Sequence, residues 1–155
     1  MFYKALLHSH SILRWLLVLI ALAAIIINAR GVLTKATWSP AHRKLNAALL
    51  GTTHLQVLIG LLLYVGVSPL MSSIFNDFGA AMKNPVLRFW AVEHITMMIL
   101  ATMVIHITHV MVKRSEVDAQ KFKRGLIGFG LGILIMMAAI PWPFRGALGR
   151  GWLPF

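Results

Sequence analysis

Four stretches of the chain carry apolar residues with few interruptions, at residues 6–28, 45–67, 86–112 and 125–142. About 20 apolar residues in a helix cross a bilayer core of about 30 Å. The pattern therefore predicts four transmembrane helices joined by short connections. An even number of helices with short links suits an up-down four-helix bundle. The expected fold is thus an all-α integral membrane protein, one transmembrane domain over residues 1–155. The first stretch is too long for a secretory signal, and no small-residue cleavage site follows it.

Composition fits this class. The chain has 155 residues, 59% of them hydrophobic and 12% charged, with a mean hydropathy of +0.79. Soluble domains run at about 25% charged, and disorder needs few apolar residues. Both classes are excluded. Lys and Arg number 15 against 4 acids, for a net charge of +11. Arg30, Lys35, Arg43 and Lys44 fall in the first connection, and Lys113, Arg114, Lys121, Lys123 and Arg124 in the third. The opposite side has Lys4, Lys83, Arg88, Arg145 and Arg150. The excess of basic residues on one side places the first and third connections in the cytoplasm and both termini outside, in the periplasm. The charge is then an orientation signal in contact with membrane lipid, and no nucleic-acid partner is implied. Trp15, Trp38, Trp90, Trp142 and Trp152 lie near the expected span ends, as an aromatic belt does.

Polar residues inside the spans are functional candidates by default. The first span has His8, His10 and Arg14, the second His54 and Gln56, and the third Glu93, His94, His106 and His109. The fourth has no titratable residue, and His42 falls in a basic connection. Cysteine is absent, which removes thiolate ligands and covalent haem attachment. At about 1.5 Å rise per residue, His10 and His94 reach one level near the outer side, and His54 and His106 reach an inner level. At about 100° per residue, His106 lies about 120° around the helix from His94, whereas His109 lies only about 60° away. Depth favours His106 and facing favours His109 as the fourth ligand.

Paired imidazoles from different helices suit the two axial positions of a haem iron, and bundle cores are where such cofactors sit. Haem b, one or two per chain, is the expected cofactor. The candidate metal ligands are His10, His54, His94, His106 and His109. Arg14 lies one turn after His10, placed to meet a propionate or Glu93. Gly51 leaves space beside His54. Gly128, Gly130 and Gly132 either admit a flat ring or serve helix packing.

The pattern resembles the bacterial cytochrome b561-type proteins, four-helix proteins with two b haems. In those the helix with two His is the last, whereas here it is the third. A closer resemblance is to short bacterial membrane proteins described as cytochrome b-like. It rests on His10-Ser11, on Thr53-His54-Leu55-Gln56 with Leu61-Leu62-Leu63-Tyr64, on Leu87-Arg88 through Glu93-His94, and on Ile140-Pro141-Trp142. The resemblance implies that His10, His54 and His94 match the family's histidines. It implies a multi-pass protein of the bacterial inner membrane.

The leading expectation is a b-type cytochrome that transfers electrons to or from a quinone or a redox protein, with Arg14, Arg88 and Glu93 near the outer pocket. Whether it is itself a membrane oxidoreductase or an electron-transfer subunit stays open. One alternative is a non-catalytic accessory subunit of a larger respiratory or pigment-binding complex. Another is a metal or proton pathway through His10, Glu93 and His94. No Gly-x-Ser-x-Gly, His-Glu-x-x-His or Walker A pattern supports hydrolysis.

Overall fold

The computed structural model describes residues 1–152, which are mostly helical with no strand among them. The four long helices are α1 (Phe2–Thr34), α2 (Pro40–Leu62), α6 (His94–Lys113) and α7 (Asp118–Ala139). Three short ones lie between α2 and α6: α3 (Pro69–Asn76), α4 (Phe78–Lys83) and α5 (Pro85–Arg88). A π-helical turn at Leu63–Val67 extends α2, and another at Phe89–Glu93 joins α5 to α6. With these extensions, four helical segments are long and apolar enough to cross a membrane.

Local chemistry sets the boundaries. Ser39, Ser68 and Asn84 precede Pro40, Pro69 and Pro85, so three helices open with a polar N-cap and proline in the first turn. That proline sits where no backbone N–H is needed. The Ser39 N–H donates to His42 Nδ1 (2.9 Å), which gives His42 a capping role. At the end of α1, Lys35 turns left-handed (φ 50°) and its N–H returns to the Gly31 carbonyl. The fourth span was expected to reach residue 142. It stops at Ala139 because Ile140 is extended before Pro141, a residue that disfavours helix in its predecessor. The connection at residues 68–85 contains α3 and α4, the latter capped by Asp77.

Each long helix packs on its neighbours in sequence, and α7 closes back on α1. Glycines set the closeness of α7. A Cβ on Gly125 would fall 2.5 Å from Asn28 Oδ1 on α1, and one on Gly132 would fall 2.7 Å from Ile105 Cγ1 on α6. Gly128 is pressed against Thr108 in the same way, whereas Gly130 faces open space. Gly128 and Gly132 are therefore packing contacts of the small-residue kind usual in membranes. Leu17, Ala21, Ala24, Leu49, Ala101, Ile105, Phe129 and Ile133 form the core between the four helices.

The outward faces are apolar. Ile12, Leu19 and Ile26 on α1, Leu58 on α2, Ile107 on α6 and Leu134 on α7 are all exposed. An apolar exterior around a packed interior is the arrangement lipid demands. The two ends of the bundle differ. At the tight end the short turns lie side by side, with the Trp38 N–H donating to Asp118 Oδ2 (2.9 Å). The wide end gathers the N-terminus, α3 to α5 and the segment after α7.

Candidate functional site

A cavity of about 340 Å³ lies between the four long helices toward the wide end. Its polar lining includes His10, Arg14, Gln56, Tyr64, His94 and Arg150. The volume falls in the range of small-molecule and cofactor pockets, about 300–1,000 Å³.

His94 is the best-fixed of these groups. Its Nδ1 lies 2.9 Å from the Ala139 carbonyl oxygen. A carbonyl only accepts, so Nδ1 carries the proton and Nε2 keeps the lone pair. The acceptor is available because the last carbonyls of a helix have no partner within it. Side chains also meet other carbonyls at the end of α7: Trp142 Nε1 donates to the Met137 carbonyl (2.9 Å), and Arg145 donates to those of Ala138 (2.9 Å) and Ile140 (3.2 Å). An imidazole held by its other nitrogen on a backbone carbonyl is the usual arrangement of a metal-ligating histidine.

His10 faces the same cavity from α1. Gln56 Nε2 donates to the His10 backbone carbonyl (3.0 Å), tying α1 to α2 at this level. The imidazole rests on Gly60, where a Cβ would stand 3.1 Å from its Cε1. Three residues that line the cavity each carry a buried polar atom without a hydrogen-bond partner: His10 Nδ1, Arg14 Nε and Gln56 Oε1. Buried polar atoms are normally satisfied; Asn28 Oδ1, Asn46 Nδ2 and His109 Nδ1, away from the cavity, are unpartnered as well.

Aromatic rings and arginines close the wide end. Trp15 stacks on Trp152, with ring centres 5.9 Å apart, and its Nε1 donates to the Trp152 carbonyl (2.8 Å). Arg14 Nη2 reaches the same carbonyl (3.4 Å). Arg150 lies over the Trp90 ring at 4.9 Å. Tyr64 donates to the Ala91 carbonyl (2.7 Å), which links the two π-helical turns beside the cavity. Turns of this kind recur at functional sites because they re-aim the residues after them, and His94 is the first residue after one.

The other candidates lie elsewhere. His54 and His106 share a level, as their depths predicted, but on the exposed seam between α2 and α6. His109 faces Asn46 of α2. Gly51 is exposed, and a Cβ there would meet nothing within 4 Å. Glu93 pairs with Arg88 (2.9 Å), both about half-exposed, and neither lines the cavity. The grouping of His10, Glu93 and His94 is thus not assembled. Among the described residues, no three His, Cys, Asp or Glu side chains are grouped to hold a metal ion.

Gly60, Tyr64, Trp90, Arg150 and the Ala139 carbonyl were not singled out from the sequence as site components. Gly60 was the most accessible of them, because it lies one turn past Gln56 on α2. No family model, curated protein or solved structure matches the chain.

Proposed function

We propose that the chain is a b-type membrane cytochrome that holds one haem between His10 and His94. The single observation that carries this reading is the pair of imidazoles from α1 and α6 facing one cavity. The donor set favours a macrocycle over a bare ion. Two imidazoles leave a bare ion short of protein ligands, whereas a porphyrin supplies four nitrogens and needs only two axial ones.

The surrounding residues fit the same group. His94 Nε2 is the nitrogen left to bind iron, and Gly60 lets the His10 ring lie close against α2. Arg14 and Arg150 supply positive charge for propionates. A bound haem supplies reversible one-electron transfer, and ligation by two His favours that over oxygen binding. The donor or acceptor would be a quinone or a redox protein meeting the wide end. In this reading the tight end, which carries the basic turns, faces the cytoplasm of a bacterial inner membrane, and the wide end, with both termini, faces outside.

A pyridine haemochrome assay on the purified protein tests the reading. About one haem per chain is expected, lost in His10→Ala and His94→Ala. A protein expressed with ample haem that shows no Soret band would refute it.

A further inference from the structure

We infer that His54 and His106 form half of a transition-metal site, completed by the same two residues of a second copy of the chain. This rests on a different pair of residues from the proposed haem and stands without it.

His54 Nε2 and His106 Nδ1 are 3.4 Å apart, and their ring centres are 5.3 Å apart at a tilt of 43°. As a hydrogen bond between the two rings this lies at the long end of the range. It matches two imidazoles on one ion. A tetrahedral ion about 2.0–2.1 Å from each nitrogen sets the nitrogens about 3.3 Å apart and the ring centres about 5.2 Å apart. Both observed separations fit that geometry.

The surroundings say where the remaining ligands come from. His54 and His106 are exposed, and no third His, Cys, Asp or Glu joins them among the described residues. Two tetrahedral positions therefore point away from the chain. His54 lies ten residues past Lys44, or about 15 Å along α2, and His106 lies seven before Lys113, or about 10 Å along α6. At that depth water is scarce and an exposed imidazole pair is costly. The flanking residues Leu55, Leu58, Met103 and Ile107 are exposed and apolar. Gly51, one turn before His54, leaves its own side of the helix open.

A two-fold axis through this seam sets the pair against itself, since a symmetric dimer repeats one patch on both subunits. Four imidazoles then close a tetrahedral shell and leave lipid together. The ion is of the class imidazole suits, such as zinc, cobalt or copper.

Cobalt(II) is the probe. The full chain is purified in detergent, stripped with a chelator, loaded with Co²⁺ and measured by visible absorption, metal analysis and light scattering. The expected result is half a cobalt per chain, the strong visible bands of a tetrahedral site, and a dimer that reverts on chelation. His54→Ala and His106→Ala should each weaken cobalt binding at least tenfold and abolish the metal-dependent dimer. Their helical circular dichroism and any Soret band should be unchanged. One cobalt per monomer, no retained cobalt, or retention unchanged in both variants would overturn the proposal. Loss of the Soret band in either variant would place these rings at the haem and overturn it too. Failure of the haem reading is seen separately, in His10→Ala and His94→Ala.

Discussion

The Nδ1 of His94 lies 2.9 Å from the Ala139 carbonyl, so the end of α7 orients the imidazole on α6. The contact couples a helix terminus to the imidazole proposed to bind haem. His94→Gln can keep a hydrogen bond at this position but lacks the imidazole Nε2. It is expected to retain the fold and to lose nearly all bound haem, read as the Soret-to-protein absorbance ratio. A variant that binds haem as wild type would remove His94 from the site.

Gly60 is where the backbone of α2 meets the His10 ring. A Cβ 3.1 Å from His10 Cε1 forces the imidazole to shift by a few tenths of an ångström, and overpacking of this kind costs about 1–3 kcal/mol. Gly60→Ala should weaken haem retention about tenfold and alter the low-spin electron paramagnetic resonance signal. Gly51→Ala, whose Cβ meets nothing within 4 Å, should leave both unchanged. Equal behaviour of the two variants would contradict the placement of His10.

The glycines of α7 make a second contrast. A Cβ on Gly132 would press on Ile105 and stand 3.2 Å from the Ala101 carbonyl, a backbone atom with little freedom to move. Gly132→Ala should destabilise the bundle by about 1–3 kcal/mol. Gly130→Ala faces open space and should be neutral. Thermal unfolding in detergent, followed by circular dichroism, reads the difference.

Glu93 separates the electron-transfer reading from a metal or proton path. Its carboxylate pairs with Arg88, with side-chain exposures of 42% and 48%, and such exposed pairs contribute at most about 1 kcal/mol. Glu93→Gln is expected to keep the haem ratio and the melting temperature. A large loss of either would show that the carboxylate serves the cavity.

Tyr64 holds the two π-helical turns together through the Ala91 carbonyl. Tyr64→Phe removes that hydrogen bond, at a cost of about 0.5–1.5 kcal/mol. Because the turn at Phe89–Glu93 aims His94, the variant should also broaden or shift the Soret band. Lower stability with an unchanged band would confine Tyr64 to packing.

Much of the fold was legible in the chain, because a run of apolar residues is local information. The four spans, the short connections and the shared depth of His54 and His106 need only helix rise and the length of each run. The end of α7 could have been read from Pro141. The placement of α3 and α4 was harder, since Ser68-Pro69 and Asp77 open helices inside a stretch that otherwise reads as loop.

What the sequence determined by itself, then, was a four-helix membrane chain with imidazole as its main ligand type. The tertiary structure decided which imidazoles share a cavity. His10 and His94 meet there, while His54 and His106 face outward on the α2–α6 seam. That choice depends on how each helix is rotated against its neighbours. The π-helical turn before His94 changes that rotation by inserting a residue into the helical count. The glycines of α7 then fix how closely α1 and α6 approach it. The turn is tied to the end of α2 by the Tyr64–Ala91 hydrogen bond and the glycines meet α1 and α6, and the spacing of residues along one helix carries no record of either.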